Sequence, residues 1–501
     1  MPEDQTFTHR TQRIVLTATI LGSSMAFLDG TVVNLVLPTL QRTFHANVSA
    51  VQWVVEAYAL TLASLLLVGG SLGDRYGRRK VYVCGTLLFA ISSMACGFAV
   101  DTEWLIVSRA VQGVGAALLV PGSLALIAAT FPESTRGRAI GTWSGFSAVT
   151  TAVGPVAGGW IIEHFSWRGI FFLNLPLALI VVALCSAVPE TRDEATTGRL
   201  DWWGAALAAA GLSAVTYSLI EWPSGFHHTY LSVLVFGGFL SFALLGVVEQ
   251  HAQSPMIPFT LFRSRNFAGA NLLTLFVYAP LGALLFFTPL DLIQIQHYSA
   301  TQAGAAFSPF VLTMLVLSRW AGQLVDRHGA RLPLTVGPLI TAVGYTLFAL
   351  ASQDGHYWTS FFPGVLVISI GMTVTVAPLT TTIMNAAPKS HAGVASGINN
   401  AVSRLASLIA IAAFGALLVM IFVHVLDDQL AALNLAAEEI ARIRANRLQL
   451  AAIQTTDVHA TRAITESFIH AYRIVIWIAA CLTLTGAIVG WAAIKPAPSA
   501  E

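Results

Sequence analysis

The segment Gly69-Gly70-Ser71-Leu72-Gly73-Asp74-Arg75-Tyr76-Gly77-Arg78-Arg79-Lys80 sets glycine and charge between two long apolar runs, roughly 50–72 and 81–100. Each run can cross a bilayer, which takes about 20 apolar residues. Spans this close in sequence must turn back in a tight hairpin. Glycine admits the backbone that such a turn demands, and the positive charge holds the turn on the cytoplasmic side. A fainter copy lies at Gly322-Gln323-Leu324-Val325-Asp326-Arg327-His328-Gly329-Ala330-Arg331. A membrane chain carrying this loop in both halves reads as a duplicated transporter.

Only 10% of the 501 residues are charged and 55% are hydrophobic. A soluble domain carries about 25% charged residues, so this chain is expected to be an integral membrane protein. The net charge of +1 is spread over short loops and gives no sign of a nucleic-acid partner. Cys84, Cys96, Cys185 and Cys481 lie in apolar runs without CxxC or metal-ligand spacing, and read as packing residues. No phosphate-binding GxxxxGK[ST] loop, haem motif or catalytic triad spacing occurs. Neither an enzyme nor an ATP-driven pump is expected, and no cofactor or metal beyond a proton gradient as energy source. The polar first 13 residues lead into a span with no small-residue cleavage site, so no signal peptide is expected to be removed.

About fourteen spans are expected, near 14–38, 50–72, 81–100, 104–130, 139–161, 169–188, 202–220, 230–249, 267–290, 302–325, 332–351, 358–384, 394–424 and 472–494. With both termini inside, the inner loops collect most of the basic residues, among them Arg75, Arg78, Arg79, Lys80, Arg136, Arg138, Arg263 and Arg265. That bias predicts cytoplasmic termini. The one long outer segment, about 425–471, contains an Ala-, Leu-, Glu- and Arg-rich stretch at 430–451 that favours helix. An amphipathic cap is expected there.

A shift of about 252 positions lays Asp326, Arg327, Gly329 and Arg331 on Asp74, Arg75, Gly77 and Arg79. Further on, Pro388, Gly393 and Gly397 fall near Pro132, Gly137 and Gly141. Three parts follow: a six-helix bundle at 1–190, two inserted helices with linkers at 191–262, and a second six-helix bundle at 263–501. Repeats of this parallel kind place a binding site near the membrane midplane between the halves.

Four motifs carry a family likeness. Residues 70–80 resemble the loop between the second and third helices of major facilitator transporters. Leu105-x-x-x-Arg109-x-x-Gln112-Gly113-x-Gly115-Ala116-Ala117 resembles their helix-four motif. Gly145 with Gly154-Pro155-x-x-Gly158-Gly159 resembles the helix-five antiporter motif. Leu28-Asp29-Gly30-Thr31-Val32-Val33-Asn34-Leu35-Val36-Leu37-Pro38 resembles the helix-one motif of the fourteen-helix branch, the drug:proton antiporters of EmrB/QacA type. The resemblance implies an all-α integral membrane protein with the major facilitator fold, two pseudo-symmetric six-helix bundles plus two inserted helices. It implies a proton-coupled antiporter of the cell inner membrane that exports drugs or other amphiphilic compounds by alternating access. Its partners would be membrane lipids, protons and a small amphiphilic substrate; a periplasmic adaptor with an outer-membrane channel is left open. Export of an endogenous metabolite or lipid is the rival reading, and a membrane sensor on a transporter scaffold a remote one.

An intramembrane acid marks a functional position by default. Asp29 in helix one and Glu56 in helix two are therefore the candidate proton sites, with Arg109 of helix four as their modulator. Asp29 bonded to Thr31, Asn34 or a neighbouring helix and merely fixing helix one, Arg109 as a tie between helices one and four, and Glu56 as a snorkelling residue at the outer face are the structural alternatives. Gly145, Gly154, Pro155, Gly158 and Gly159 form a small-residue stripe suited to close packing across the two halves. Gly70, Asp74, Arg75, Gly77, Arg78 and Arg79 form a cytoplasmic latch. In it Asp74 accepts from Arg75 or Arg78, and the resemblance supplies the start of helix thirteen, near His391 and Gly393, as a further partner. Asn34, Gln112, Trp143, Phe146, Tyr278 and Arg404 are candidates for the substrate cavity.

Overall fold

The computed structural model describes residues 7–192, 201–225, 228–251, 259–351, 357–387, 392–433 and 435–495. Among them, thirteen helices are long and apolar enough to cross a membrane. The first eight elements in chain order are α1 (His9–Phe44), α2 (Val48–Tyr76), α3 (Arg78–Gly97), α4 (Thr102–Thr130), α5 (Glu133–His164), α6 (Gly169–Cys185), α7 (Trp202–Glu221) and α8 (His228–His251). The remaining six are α9 (Arg265–Leu290), α10 (Ser308–His328), α11 (Arg331–Ala349), α12 (Phe362–Asn385), α13 (Ala392–Ala432) and α14 (Val458–Ala493). No strand occurs among the described residues.

Local chemistry explains where these helices break. α6 is the shorter apolar helix at the place of the sixth expected span, and it is interrupted at Leu173. The expected tenth span is split into a short helix, Ala300–Ala305, and α10. Ser299 and Gln302 form a reciprocal capping box at the start of the short helix. Pro309 stands in the first turn of α10, where its missing N–H costs nothing. In the 425–471 segment, α13 runs on to Ala432, and a short helix Ala437–Ala445 and a 3-10 turn Arg447–Ala452 follow. Arg444 and Arg447 pair with Asp427, and Arg442 with Glu439, so the expected cap is laced by ion pairs. The pairing with Arg442 holds the Glu439 carboxyl below the usual carboxylate range.

The chain forms two compact units, each assembled from several stretches of sequence. The first comprises Met1–Val36, Trp53–Ser213 and Gly238–Met256; the second comprises Leu37–Gln52, Ala214–Gly237 and Ile257–Glu501. In the first, Gly85 and Gly115 bring α3 and α4 together so closely that a Cβ at either would press on the other helix's backbone. In the second, Gly337 and Gly371 do the same for α11 and α12. These are the third and fourth helices of each repeat.

The hairpin glycine repeats as well. Gly77 has φ 114° and Gly329 φ 72°, a region that side-chain-bearing residues avoid. Both follow a helix carrying the Asp-Arg pair and precede one that starts with arginine. Arg79 then reaches the end of α6, donating to the Val188 carbonyl at 2.8 Å. Its counterpart Arg331 stacks over Trp491 near the end of α14, 5.0 Å from the ring centre.

Two expectations about cysteines need correction. Cys96 and Cys185 are buried, but Cys84 and Cys481 are exposed on α3 and α14. On a helix apolar all round, sequence does not say which face is packed.

A candidate coupling site within the first helices

Asp29 is buried in α1 and is held from α4 on both carboxylate oxygens. Arg109 donates Nη1–H to Oδ2 at 2.5 Å, and Gln112 donates Nε2–H to Oδ1 at 2.9 Å. The spacing of Arg109 and Gln112 by three residues puts both on one face of α4. Arg109 also donates to the Gln112 Oε1 at 2.8 Å and from Nε to the Val54 carbonyl of α2 at 3.0 Å. Its guanidinium lies 4.3 Å from the centre of the Tyr58 ring, and Cys96 of α3 donates its thiol to Gln112 Oε1 at 3.6 Å. Side chains from four helices thus close around one ion pair whose members are 1% and 2% exposed.

Glycine makes this approach feasible. A Cβ at Gly113 would collide with the Thr61 hydroxyl and the Tyr58 carbonyl, so α4 passes α2 at van der Waals distance. Thr61 fixes the crossing by donating to the Ala110 carbonyl at 2.9 Å. Asp29 does not bond to Thr31, whose hydroxyl donates instead to the Phe27 and Leu28 carbonyls. Asn34 leaves its buried Oδ1 without a partner.

Glu56 differs from Asp29 in kind. It is fully buried in α2, and among the described residues neither carboxylate oxygen has a hydrogen-bond partner. It does not snorkel. An unpaired carboxylate in such a place costs several kcal/mol. Among the described residues the two acids therefore offer one ion-paired site and one without a hydrogen-bond partner. A proton arriving at Asp29 would cancel its charge and release Arg109; a proton leaving Glu56 would demand a new partner or water.

The helix-five motif packs on helix one. Gly154 faces Leu28, Thr31 and Val32, and a Cβ at Gly158 would run into the Val32 side chain. These two glycines seat α5 on α1 within one compact unit. Gly145 has nothing within 4 Å of where a Cβ would stand, Gly159 is buried, and Pro155 lies half-buried inside α5.

Trp143 donates its indole N–H to Ser23 at 3.0 Å and meets Phe27 edge-on, so it is fixed against α1, whereas Phe146 is 53% exposed. Tyr278 packs against Ala406 and Ala410 of α13, and Arg404 is half-buried on α13; both belong to the other compact unit.

At the hairpin, Asp74 accepts from Arg78 Nε at 2.8 Å. Arg75 is exposed and stacks on Tyr76, and Gly70 lies half-buried within α2. The residue that sequence reasoning missed is Glu190. It accepts from the backbone N–H of Arg79 at 3.0 Å and of Lys80 at 3.2 Å, capping the start of α3, and its carboxylate sits where a Cβ on Gly77 would go. The signal available was an acid just past an apolar span, opposite a basic loop. His391 lies outside the described residues, as does the latch contact expected there.

The sequence model of the Major Facilitator Superfamily matches residues 19–411. The chain is 34% identical over 412 residues to multidrug resistance protein Stp of Mycobacterium tuberculosis (strain CDC 1551 / Oshkosh), covering 82% of this chain and 76% of that one. It is 31% identical over 424 residues to the tetracenomycin C resistance and export protein of Streptomyces glaucescens, covering 84% and 78%. Its fold is similar to the crystal structure of a bacterial homologue of the human lysosomal transporter Spinster, inward-facing and unoccupied. There the TM-score is 0.69 at 17% identity, over 98% of this chain and all of the other.

Proposed function

Since this chain belongs to the Major Facilitator Superfamily, and is therefore a multi-pass membrane transporter and not an enzyme, we propose that it exports antibiotics or other amphiphilic compounds in exchange for protons. The observation that carries the coupling is the contrast between Asp29, bound by Arg109 and Gln112, and the unpartnered Glu56. Protons entering from outside reach a buried acid. Substrate and proton then occupy the site at each other's expense. The excess of Arg and Lys in the hairpin loops supports cytoplasmic termini. The relatives named for drug resistance support the substrate class.

The energetics suffice. A proton-motive force of about 150 mV supplies roughly 3.5 kcal/mol per charge, scaling from 2.3 kcal/mol per 100 mV. That sustains a gradient of a few hundredfold, at about 1.4 kcal/mol per tenfold step.

The test uses everted membrane vesicles containing a pH-sensitive dye, challenged with lipophilic cations, antibiotics and lipids. The expected result is substrate-induced proton release by the wild type and none by Asp29→Asn. Proton-independent accumulation of any of these compounds would overturn the antiport; a response to lipids alone would favour export of a lipid.

A further inference from the structure

Far along the chain from the Asp29 network, a cavity of about 590 Å³ opens between the turn after α9, the start of α10 and the start of α12. Binding pockets for drug-sized molecules run from about 300 to 1,000 Å³. The walls are rigidly built. His297 turns the chain with φ 56°, and Tyr298 N–H donates to the Leu292 carbonyl at 2.8 Å. The Tyr357 hydroxyl crosses to the Ala306 carbonyl at 2.7 Å, where the backbone breaks between the short helix and α10.

The lining has a definite chemistry. Tyr298, Tyr357 and Trp358 supply aromatic surface; Ala305, Pro309 and Leu312 supply the apolar floor. Among the described residues, none of the lining side chains is a carboxylate, an amine or an imidazole. Burial pushes the Tyr357 hydroxyl up to about 12, so its ring stays neutral. Gln302 spends its Oε1 on the Ser299 N–H of the capping box, which turns its NH₂ into a donor for a guest. At the mouth, Leu312 is 53% and Trp358 68% exposed, as befits an aromatic belt where a membrane protein meets the interface.

We propose that this cavity is a binding site for one uncharged, ring-bearing amphiphile drawn from the bilayer, its ring among Tyr298, Tyr357 and Trp358 and its acceptor at Gln302. Among the described residues no lining side chain offers an ion a formal counter-charge, and the aromatic faces favour a flat ring over a flexible acyl chain. Binding stands on the pocket alone. Its use as a side entry for exported compounds rests on the exporter reading above.

The experiment is photolabelling of the full chain in phosphatidylcholine nanodiscs with a neutral naphthyl amide bearing a diazirine, mapped by mass spectrometry. Label is expected within 298–312 and 357–358. Ala305 is exposed within the pocket, so Ala305→Trp fills the space and is expected to cut labelling roughly tenfold, while Ala305→Ser retains it. Leu312→Trp serves as the second filling variant should the first fail to fold. Label elsewhere, or label unchanged in a folded filling variant, overturns the proposal. So does equal competition by tetraphenylphosphonium, or labelling of the slot by a diazirine phosphatidylcholine that the amide does not displace. Labelling needs no transport, so lost efflux with intact labelling counts against the exporter reading alone.

Discussion

Arg109 and Asp29 meet at 2.5 Å with almost no solvent contact on either side chain, and the same guanidinium lies over Tyr58 and bonds to the backbone of α2. The pair joins α1, α2 and α4 at one charge, so any event that neutralises the acid is felt on three helices.

Removing one partner of a buried pair leaves the other charge uncompensated, at a cost of about 3–5 kcal/mol. Arg109→Ala is expected to lower the melting temperature of the detergent-solubilised protein markedly. Combining it with Asp29→Asn should recover part of that loss. Strict additivity of the two effects would refute a direct pair.

Glu56 has no partner to lose. Glu56→Gln keeps the shape and removes only the titratable group, so it is expected to fold as well as the wild type, with a melting temperature unchanged within error. Substrate-induced proton release in everted vesicles should fall while substrate binding persists. Undiminished proton release would assign coupling elsewhere.

The hairpin should fail through its backbone. Gly77→Ala forces a side chain into a left-handed conformation, at about 1–3 kcal/mol, and into the Glu190 carboxylate. Glu190→Gln weakens the cap on α3 and removes the partly exposed ion pair with Arg79, by about 1 kcal/mol together. Thermal unfolding should therefore rank wild type above Glu190→Gln and that above Gly77→Ala.

Along α5 the glycines are expected to part company. Gly158→Leu collides with Val32 and should reduce the yield of folded protein, whereas Gly145→Leu meets open space and should express normally. Efflux of a fluorescent substrate by Gly145→Leu then reads a moving contact: full activity would deny this face any part in the transport cycle.

The spans were legible because length and apolarity are properties of a local segment, and the hairpin because glycine and charge act where they stand. The pairing of Gly77 with Gly329 was visible as a repeat, and its left-handed backbone in both copies follows from the same turn chemistry. Other features were hidden. Glu190 lies more than a hundred positions from the N–H groups it caps. Cys84 faces outward and Cys96 inward on one helix whose composition does not distinguish the two sides.

Sequence alone thus determined that the chain is a duplicated bundle of membrane helices and which ionisable residues lie inside them, since burying a charge in an apolar span is costly wherever it occurs. Only the tertiary structure decided that, among the described residues, Asp29 is paired and Glu56 is not. That distinction depends on the rotation and depth at which α1, α2 and α4 cross. Those are set by small residues such as Gly113 against Tyr58 and Thr61, contacts between helices that no local segment encodes.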